Sequence, residues 1–374
     1  MKKFMSEVPF SLSRACYLMI CCLVLVSTSC KKIDIQHKLR DFEQVNLVDN
    51  NGAYMAAHQE PLLRNAWGLS WSPTGIAWVN SEVGHVSALF KVDGTEPRPP
   101  VNIPSPTDTI GGAPTGTVFN PTTDFVISNG QAAKFLFVGS DGVLSGWNGG
   151  NRALLIKDNS SMSVYTGLAI GASNGANYIY AADFKSGKIE VWDKDFNDVS
   201  MDFKDPSIPT GYAPFNIQAI GNWLYVTYAK VGDDGDEEKG VGKGFVSIFN
   251  MDGSFVTRFA SNGLLNAPWG VAMTPKGFFD DPDMDNHFSQ LKGSSKDSTF
   301  IVVGNFGDGH INMFDLTGNF LGQLKTHNHV LTIDGLWALE FAPTTATTIS
   351  QNWLFFTAGP ADESDGVFGY IVKK

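Results

Sequence analysis

Short apolar runs alternate with polar, glycine-containing turns along the chain from residue 42 onwards. The runs are rich in Val, Ile, Leu and aromatic residues, and Asp-Gly or Asn-Gly pairs follow several of them. Runs of this kind predict β-strands joined by tight turns. Many runs are apolar at successive positions, which is typical of strands covered on both faces. The pattern therefore predicts an all-β protein built from packed sheets.

One of these apolar runs returns roughly every fifty residues. Its first copy reads Ala66-Trp67-Gly68-Leu69-Ser70-Trp71, and the copies are anchored at Gly68, Gly116, Gly167, Asn216, Gly270 and Ala338. A four-stranded propeller blade takes about 40–50 residues, so each copy predicts the inner strand of one blade. Inserts at 231–243 and 278–299 lengthen two of the repeats. The sequence thus predicts a six-bladed β-propeller.

The last blade lacks one strand at the C-terminal end of the chain. Its predicted strands are Trp337–Phe341, Trp353–Thr357 and Val367–Val372, whereas a strand-like run at Phe42–Val48 precedes the first blade. An unpaired sheet edge exposes backbone groups and invites aggregation. We therefore expect the N-terminal run to close the ring as the outer strand of blade 6, so that the propeller spans residues 42–374.

The first residues have the pattern of an export signal. Basic residues precede a short apolar run at 15–26, which is too short to cross a bilayer. Ser27-Thr28-Ser29-Cys30 follows and is similar to a bacterial lipobox, although Ser27 stands where an aliphatic residue is usual. We predict a signal peptide at 1–29, a lipidated Cys30 and a tether at 30–41, with ordinary secretory cleavage nearby as the alternative.

The cysteines agree with this interpretation, since all four lie at or before Cys30. The remaining chain can form no disulfide, zinc-thiolate site or cysteine nucleophile. A doubly acylated Cys30 would hold the protein on a membrane. Lys31 follows Cys30, and no Asp stands there to retain the protein at the inner membrane. The expected location is the cell envelope, as an outer-membrane lipoprotein facing either side.

The charge balance limits the partners. The formal net charge is −11, and removal of residues 1–29 would make the protein more acidic. The sequence contains no basic stripe, so nucleic acid is not an expected partner.

Several long motifs resemble a family of uncharacterised exported bacterial proteins that are similar to NHL-type six-bladed propellers. The resemblance covers about residues 42–372 and implies the fold and export, without an established activity. More distantly, the architecture is similar to calcium-dependent lactonases of the gluconolactonase type, whose metal ligands cannot be placed on this sequence. The motifs are Ala66-Trp67-Gly68-Leu69, Tyr178-Ile179-Tyr180-Ala181-Ala182-Asp183-Phe184, Ala213-Pro214-Phe215-Asn216-Ile217-Gln218, Leu224-Tyr225-Val226-Thr227-Tyr228-Ala229-Lys230, Asn305-Phe306-Gly307-Asp308-Gly309, Asp334-Gly335-Leu336-Trp337 and Phe355-Phe356-Thr357-Ala358-Gly359-Pro360.

Polar residues collect in the loops that join the second and third strands of each blade (the b–c loops). In a propeller these loops lie on the face where the inner strands begin, around the mouth of the central channel. The same residue types also build tight turns, which is the alternative interpretation. The predicted ligand-binding residues are Glu82, His85, Asp141, Asp183, Lys185, Asn305, Asp308 and His310, and the wider polar set adds Asn80, Ser81, Ser140, Lys230, Asp362, Glu363 and Asp365.

Trp67, Trp269 and Trp337 recur at the start of the inner strand. They are candidates for stacking on a sugar or another flat ligand. Packing between neighbouring blades is the alternative, because a tryptophan repeated at equivalent positions usually belongs to the core.

Metal sites would need oxygen ligands. Asp281, Asp283 and Asp285 have the alternate spacing of a calcium loop but lack the glycine and the distal glutamate of an EF-hand. Ca²⁺ is therefore the candidate cofactor, although Pro282 stiffens this segment. The acidic run at 233–238 favours a solvated loop.

The chain has no Gly-x-Ser-x-Gly elbow, His-Glu-x-x-His motif or P-loop. The leading hypothesis is an envelope-anchored binding module for a small molecule, glycan, peptide or envelope protein. A hydrolase or lactonase, with Glu82, Asp183 and Asp308 around one divalent ion, is the second. A scaffold for protein interactions is the third.

Overall fold

Antiparallel sheets surround one axis as six blades in the computed structural model, which describes residues 37–279 and 299–374. This confirms the predicted all-β six-bladed propeller. The predicted signal peptide at 1–29, the lipidation site Cys30 and most of the predicted tether lie outside the described residues. Within those ranges, no helix is long and apolar enough to cross a membrane.

The strands follow the repeat, and each blade runs from an inner strand at the axis to an outer strand at the rim. Two strands precede blade 1, β1 (Phe42–Asp49) and β2 (His58–Gln59). Blade 1 contains β3 (Ala66–Trp71), β4 (Ala77–Ser81), β5 (Val86–Phe90) and β6 (Val101–Asn102). Blade 2 contains β7 (Pro114–Phe119), β8 (Phe135–Gly139), β9 (Val143–Trp147) and β10 (Leu154–Asp158). Blade 3 contains β11 (Tyr165–Ser173), β12 (Ala176–Asp183) and β13 (Lys188–Asp193).

The second half continues in the same order. Blade 4 contains β14 (Tyr212–Ile220), β15 (Trp223–Lys230), β16 (Gly244–Asn250) and β17 (Phe255–Ser261). Blade 5 contains β18 (Pro268–Met273), β19 (Ile301–Asn305), β20 (Ile311–Phe314) and β21 (Phe320–Gln323). A small hairpin follows, with β22 (Lys325–Thr326) and β23 (His329–Val330). Blade 6 contains β24 (Leu336–Phe341), β25 (Leu354–Ala358) and β26 (Val367–Lys373).

The ring is closed by the N-terminal strand, as the sequence predicted. β1 pairs antiparallel with β26 from Phe42↔Lys373 to Asp49↔Val367. β2 then adds to β1 in parallel through Val48↔His58, so blade 6 has the order β2-β1-β26-β25-β24. The edge of β26 is thereby covered by the other end of the chain.

The recurrence of small residues at the repeat anchors has a steric cause at the axis. A Cβ on Gly68 would lie 2.1 Å from the carbonyl oxygen of Thr115 in the next blade, and one on Gly270 would lie 2.6 Å from that of Trp337. A Cβ on Gly116 would lie 2.5 Å from the amide nitrogen of Leu168. The inner strands therefore approach so closely that a side chain at these anchors would separate the blades.

Side chains also donate hydrogen bonds to the inner strand of the next blade. Asn80 donates to the carbonyl oxygens of Thr115 (3.1 Å) and Gly116. Thr115 Oγ1 donates to Tyr165 O (2.7 Å), and Asn216, which replaces glycine at its anchor, donates to Trp269 O (2.9 Å). These carbonyls lie at the axial edge of the sheets, where no further strand can satisfy them, so the hydrogen bonds hold the ring together.

We expect Gly68→Ala to lower the free energy of unfolding by about 1–3 kcal/mol, since backbone of blade 2 must move to admit the methyl group. Gly149→Ala is the matched control, because a Cβ on Gly149 meets nothing within 4 Å. Urea unfolding of both variants measures the difference. Equal stabilities of the two variants would contradict the close packing of the blades at the axis.

Candidate functional site

The three repeated tryptophans fill the axis at the mouth end of the channel. Trp67, Trp269 and Trp337 have relative exposures of 6%, 5% and 0%. The Trp67 and Trp337 rings stack with centroids 3.6 Å apart, and Trp269 meets both edge-on. The three rings are thus buried against one another, as in the packing alternative, and are not exposed for stacking on a flat ligand.

Two phenylalanines complete this layer, which we call the aromatic floor (Trp67, Trp269, Trp337, Phe215 and Phe306). Phe306 comes from the b–c loop of blade 5 and stacks on Trp337 at 3.9 Å, and Phe215 packs against both. Trp269 reaches across the axis, where its Nε1 donates to Thr166 O of blade 3 (2.9 Å). The floor therefore closes the channel and forms a rigid base under the mouth.

Two predicted ligand residues hold their loops from the inside. Asp183 and Asn305 both have 0% exposure. Asp183 accepts hydrogen bonds from Val164 N (3.0 Å) and Ser186 N (3.2 Å), and Asn305 donates to Leu264 O (2.7 Å) and accepts from Asn266 N (3.1 Å). Neither side chain is exposed, and these contacts agree with the turn alternative, although the Oδ2 atom of Asp183 is buried without a hydrogen-bond partner.

Other predicted residues also make turn contacts, although they keep some exposure. Asp308 accepts from Asn266, Asn305 and the His310 amide, and His310 Nδ1 lies 3.5 Å from its carboxylate. Asp141 accepts from Ala113 N and Val143 N, and burial raises its pKa. His85 bonds Gly112 O through Nδ1 (2.8 Å), and Lys185 donates to Ser161 O (3.2 Å). Asp308 and His310 thus form a pair, and Asp141 is close enough to Glu82 for that charge to raise its pKa further, whereas His85 and Lys185 bond backbone of other loops.

Glu82 differs, because it belongs to a group of carboxyls directly above the aromatic floor. Asn65 connects the two layers: its Oδ1 accepts from Trp337 Nε1 (2.9 Å), and its Nδ2 donates to Glu363 (2.9 Å) and to Glu82 at 3.4 Å. Glu82 also accepts from Ser140 Oγ of blade 2 (2.8 Å). Carboxyls from the first and last blades therefore meet at Asn65, beside the indole nitrogen of Trp337.

Glu237 is the third carboxyl of this group, and it arrives on the 231–243 insert of blade 4. The insert folds back on itself through the Val231↔Glu237 bridge and through Glu238 N, which donates to Lys230 O at 2.7 Å. Glu238 pairs with Lys230 and Lys243. We call Glu82, Glu237 and Glu363 the mouth cluster.

Lys239 places a positive charge close to the mouth cluster. Its Nζ lies 4.2 Å from the centroid of the Phe306 ring, and its charge acts on both Glu237 and Glu363. Asp236, on the same insert, adds negative charge to both. One ammonium thus faces several carboxyls, so the field over the floor is negative when these groups are ionised.

Two of these carboxyls are held in an environment that resists ionisation. Burial, together with the charge of Glu363, raises the pKa of Glu237 to about 7, against the effect of Lys239. Burial and the nearby Glu82 raise the pKa of Glu363, although Asn65 and Lys239 favour its charged form. Half-buried acids with raised pKa values are found frequently at functional sites.

The arrangement does not resemble a metal centre. Among residues 37–279 and 299–374, no group of three or more His, Cys, Asp or Glu side chains is placed to hold a metal ion. Glu82, Asp183 and Asp308, which the hydrolase hypothesis brought together, each have different neighbours. The calcium candidates Asp281, Asp283 and Asp285 lie outside the described residues.

The sequence missed Glu237, Lys239 and Asn65 as site residues, and it placed Glu363 only in the wider polar set. A signal was present for Glu237, since an acidic insert in a b–c loop must emerge at the channel mouth. Its interpretation as a solvated loop suits the exposed residues 233–236 but not Glu237.

Comparison with known proteins gives relatives from a virus. The chain is 31% identical over 348 residues to "Uncharacterized protein R648" of Acanthamoeba polyphaga mimivirus, with 88% of this chain and 80% of the relative covered. "Uncharacterized protein L690" of the same virus is 32% identical, with 88% and 86% covered. No family model matches. The resemblance implied a bacterial family, whereas these relatives are viral; the implied export and NHL likeness are not tested by them.

Solved structures share the propeller fold at low identity. A gluconolactonase from Xanthomonas campestris has a TM-score of 0.47 and 14% identity, covering 82% of this chain and 88% of that one. A streptogramin B lyase has a TM-score of 0.49 and 12% identity, covering 88% and 96%. At these values the likeness concerns the fold alone.

Proposed function

The chain belongs to the family of R648 and L690 of Acanthamoeba polyphaga mimivirus, and we propose that it is a binding module that takes a small cationic ligand at its channel mouth. The observation that carries this proposal is the mouth cluster, in which Glu82, Glu237 and Glu363 come from three blades. Like-charged carboxyls in a partly dehydrated place destabilise a protein unless a cation compensates them. A stability disadvantage of this kind is common at binding sites.

The aromatic floor supports the same proposal. Its packed rings hold Asn65 in a fixed position below the carboxyls. Little side-chain ordering would therefore be needed when a ligand binds. A primary amine or guanidinium group suits the site because its several N–H donors match carboxylate acceptors. The ligand's remaining part would extend into the mouth. Display from an envelope membrane through Cys30 stays a prediction.

Thermal unfolding with 1,4-diaminobutane as a probe tests the proposal, with succinate at the same ionic strength as the anionic comparison. We expect the melting temperature (Tm) to rise with the diamine and not with succinate. Glu237→Gln and Glu363→Gln should each reduce the rise. Asp233→Asn is the matched control, because Asp233 is exposed on the same insert. A rise that persists in both Gln variants would exclude the mouth cluster as the binding site.

The raised pKa of Glu237 gives a second prediction. A carboxyl whose folded pKa is raised from 4.5 to about 7 favours the folded state below pH 4.5, and this advantage is lost as pH rises to 7. Glu237→Gln should therefore stabilise the protein at pH 8 by about 1–2 kcal/mol, a value reduced for contact with water. Diamine affinity should be about ten-fold weaker at pH 6 than at pH 8, because the proton competes with the cation. Urea unfolding and calorimetric titration measure both effects, and a flat pH profile would contradict them.

A further inference from the structure

A second polar site lies inside the channel, below the aromatic floor. A cavity of about 10 Å³ sits on the axis and is lined by the inner strands of all six blades. Most of its lining is apolar or glycine, but Thr117, Asn216, Gln218 and Glu340 also contribute. This volume suits one particle of the size of a water molecule.

Two of these polar groups are buried without a protein partner. Glu340 Oε2 and Thr117 Oγ1 are both inaccessible to solvent and make no hydrogen bond. Glu340 as a residue keeps some exposure, and it stands near the end of β24, on the side of the propeller opposite the mouth. An unpaired buried carboxylate costs several kcal/mol unless a counter-charge or a proton compensates it. Either a proton on the carboxyl or a cation in the cavity must therefore compensate Glu340.

We propose that the axial cavity is a binding site for one monovalent cation, held by oxygen atoms of Glu340, Thr117 and Gln218. Carboxylate, hydroxyl and amide oxygens are the ligands that hard cations prefer. One carboxyl balances one positive charge, and the other lining residues carry no ionisable side chain. The cavity is too small for an organic amine, so this site is separate from the mouth cluster, and the two can succeed or fail independently.

A proton is the competing occupant of the carboxyl. Burial raises the pKa of Glu340 to about 8, so without a cation the group would be largely neutral at pH 7. The four strands packed most closely against β24 are β3, β18, β19 and β25, and none of them carries an ionisable side chain. Cation binding should then release a proton and strengthen as pH rises from 6 to 9.

Thermal unfolding of the full chain in KCl, NaCl and N-methylglucamine chloride at equal ionic strength tests the site. We expect K⁺ or Na⁺ to raise the Tm by about 2–4 °C over the bulky cation, more at pH 9 than at pH 6. Glu340→Gln should abolish this difference, and Thr117→Val, which keeps the charge, should reduce it. Glu43→Gln is the matched control, because Glu43 is an exposed acid paired with Lys374. Equal Tm values in the three salts, or the same rise in the Glu340 variant, would overturn the proposal.

Crystals soaked in RbCl give the direct measurement. An anomalous peak on the axis within about 3 Å of Glu340 and Thr117 would support the cation site. Density without anomalous signal would identify a single water beside a protonated Glu340 and would overturn it. This outcome leaves the mouth proposal intact, since diamine binding is read from different variants.

Discussion

Trp337→Ala should lower the free energy of unfolding by about 3–5 kcal/mol, among the largest effects of any single substitution in this protein. Trp337 is fully buried and stacks on Trp67 on one face and on Phe306 on the other. Truncation opens a cavity at the axis, where the six inner strands meet. No inner strand can move inwards to fill this cavity without breaking its contacts with the neighbouring blade. It also leaves Asn65 Oδ1 without its indole donor, which adds a desolvation penalty of about 1 kcal/mol.

Urea unfolding followed by circular dichroism measures this loss. Trp223→Ala is the matched control, because Trp223 is 47% exposed and should change stability by much less. Trp337→Phe separates packing from hydrogen bonding, since it keeps a stacked ring and loses only the donor to Asn65. The prediction fails if Trp337→Ala costs no more than Trp223→Ala.

Trp337→Ala should also weaken the mouth cluster, although Trp337 does not belong to it. Asn65 is positioned by the indole and in turn orients Glu363 and Glu82. We therefore expect diamine binding to be weaker in Trp337→Ala than in Trp223→Ala at equal folded fraction. Floor and cluster thus act as one unit, in which packing supplies the precision that the carboxyls need.

The fold followed from the sequence because its constraints are periodic. A glycine or another small residue must recur wherever inner strands approach each other, and Asn216 keeps the period because its side chain donates to the next blade. Closure by Phe42–Val48 was also predictable, since an unpaired β26 edge would leave backbone groups without partners. Because the same steric requirement recurs in every blade, the number of blades could be predicted from the sequence.

The site was less predictable because single side chains can point either way from a loop. Asp183 and Phe184 are adjacent, and nothing in their order shows that both turn inwards, one to hold the loop and the other to pack at the axis. The position of Glu237 depends on the path of an insert that no other blade repeats. Glu340 is the one acid within an otherwise apolar inner strand, Leu336–Phe341. An acid at such a position could have been identified as a candidate functional residue from sequence alone.

Asp205→Ala should destabilise the protein by about 3–5 kcal/mol, since it removes one partner of a buried ion pair. Asp205 is 3% exposed and ties the segment between blades 3 and 4 to the outer strands of blade 4. Its Oδ2 accepts from Arg258 Nε and Ser247 Oγ, both at 2.6 Å, and its Oδ1 accepts from Ser207. Truncation leaves the Arg258 guanidinium over the Phe245 ring without its carboxylate.

The free energy of unfolding at acidic pH should also depend on Asp205. Burial alone would raise the pKa of Asp205, but the hydrogen bonds from Arg258, Ser247 and Ser207 outweigh it and lower the pKa from 3.8 to about 2. A lowered pKa contributes stability that is fully present above pH 4 and is lost as pH falls through 2. The difference between wild type and Asp205→Ala should therefore shrink between pH 5 and pH 2 in urea unfolding.

Asp198→Ala is the matched control for this ion pair, because Asp198 pairs with Lys157 at a side-chain exposure of 78% and should change stability by about 0–1 kcal/mol. The double variant Asp205→Ala, Arg258→Met completes a mutant cycle. It should recover part of the loss, since no buried guanidinium is then left unpaired, and the coupling between the two positions should exceed about 1 kcal/mol. Additive effects of the two substitutions would show that the salt bridge does not stabilise blade 4, and that the Asp205 carboxylate acts through its serine partners alone.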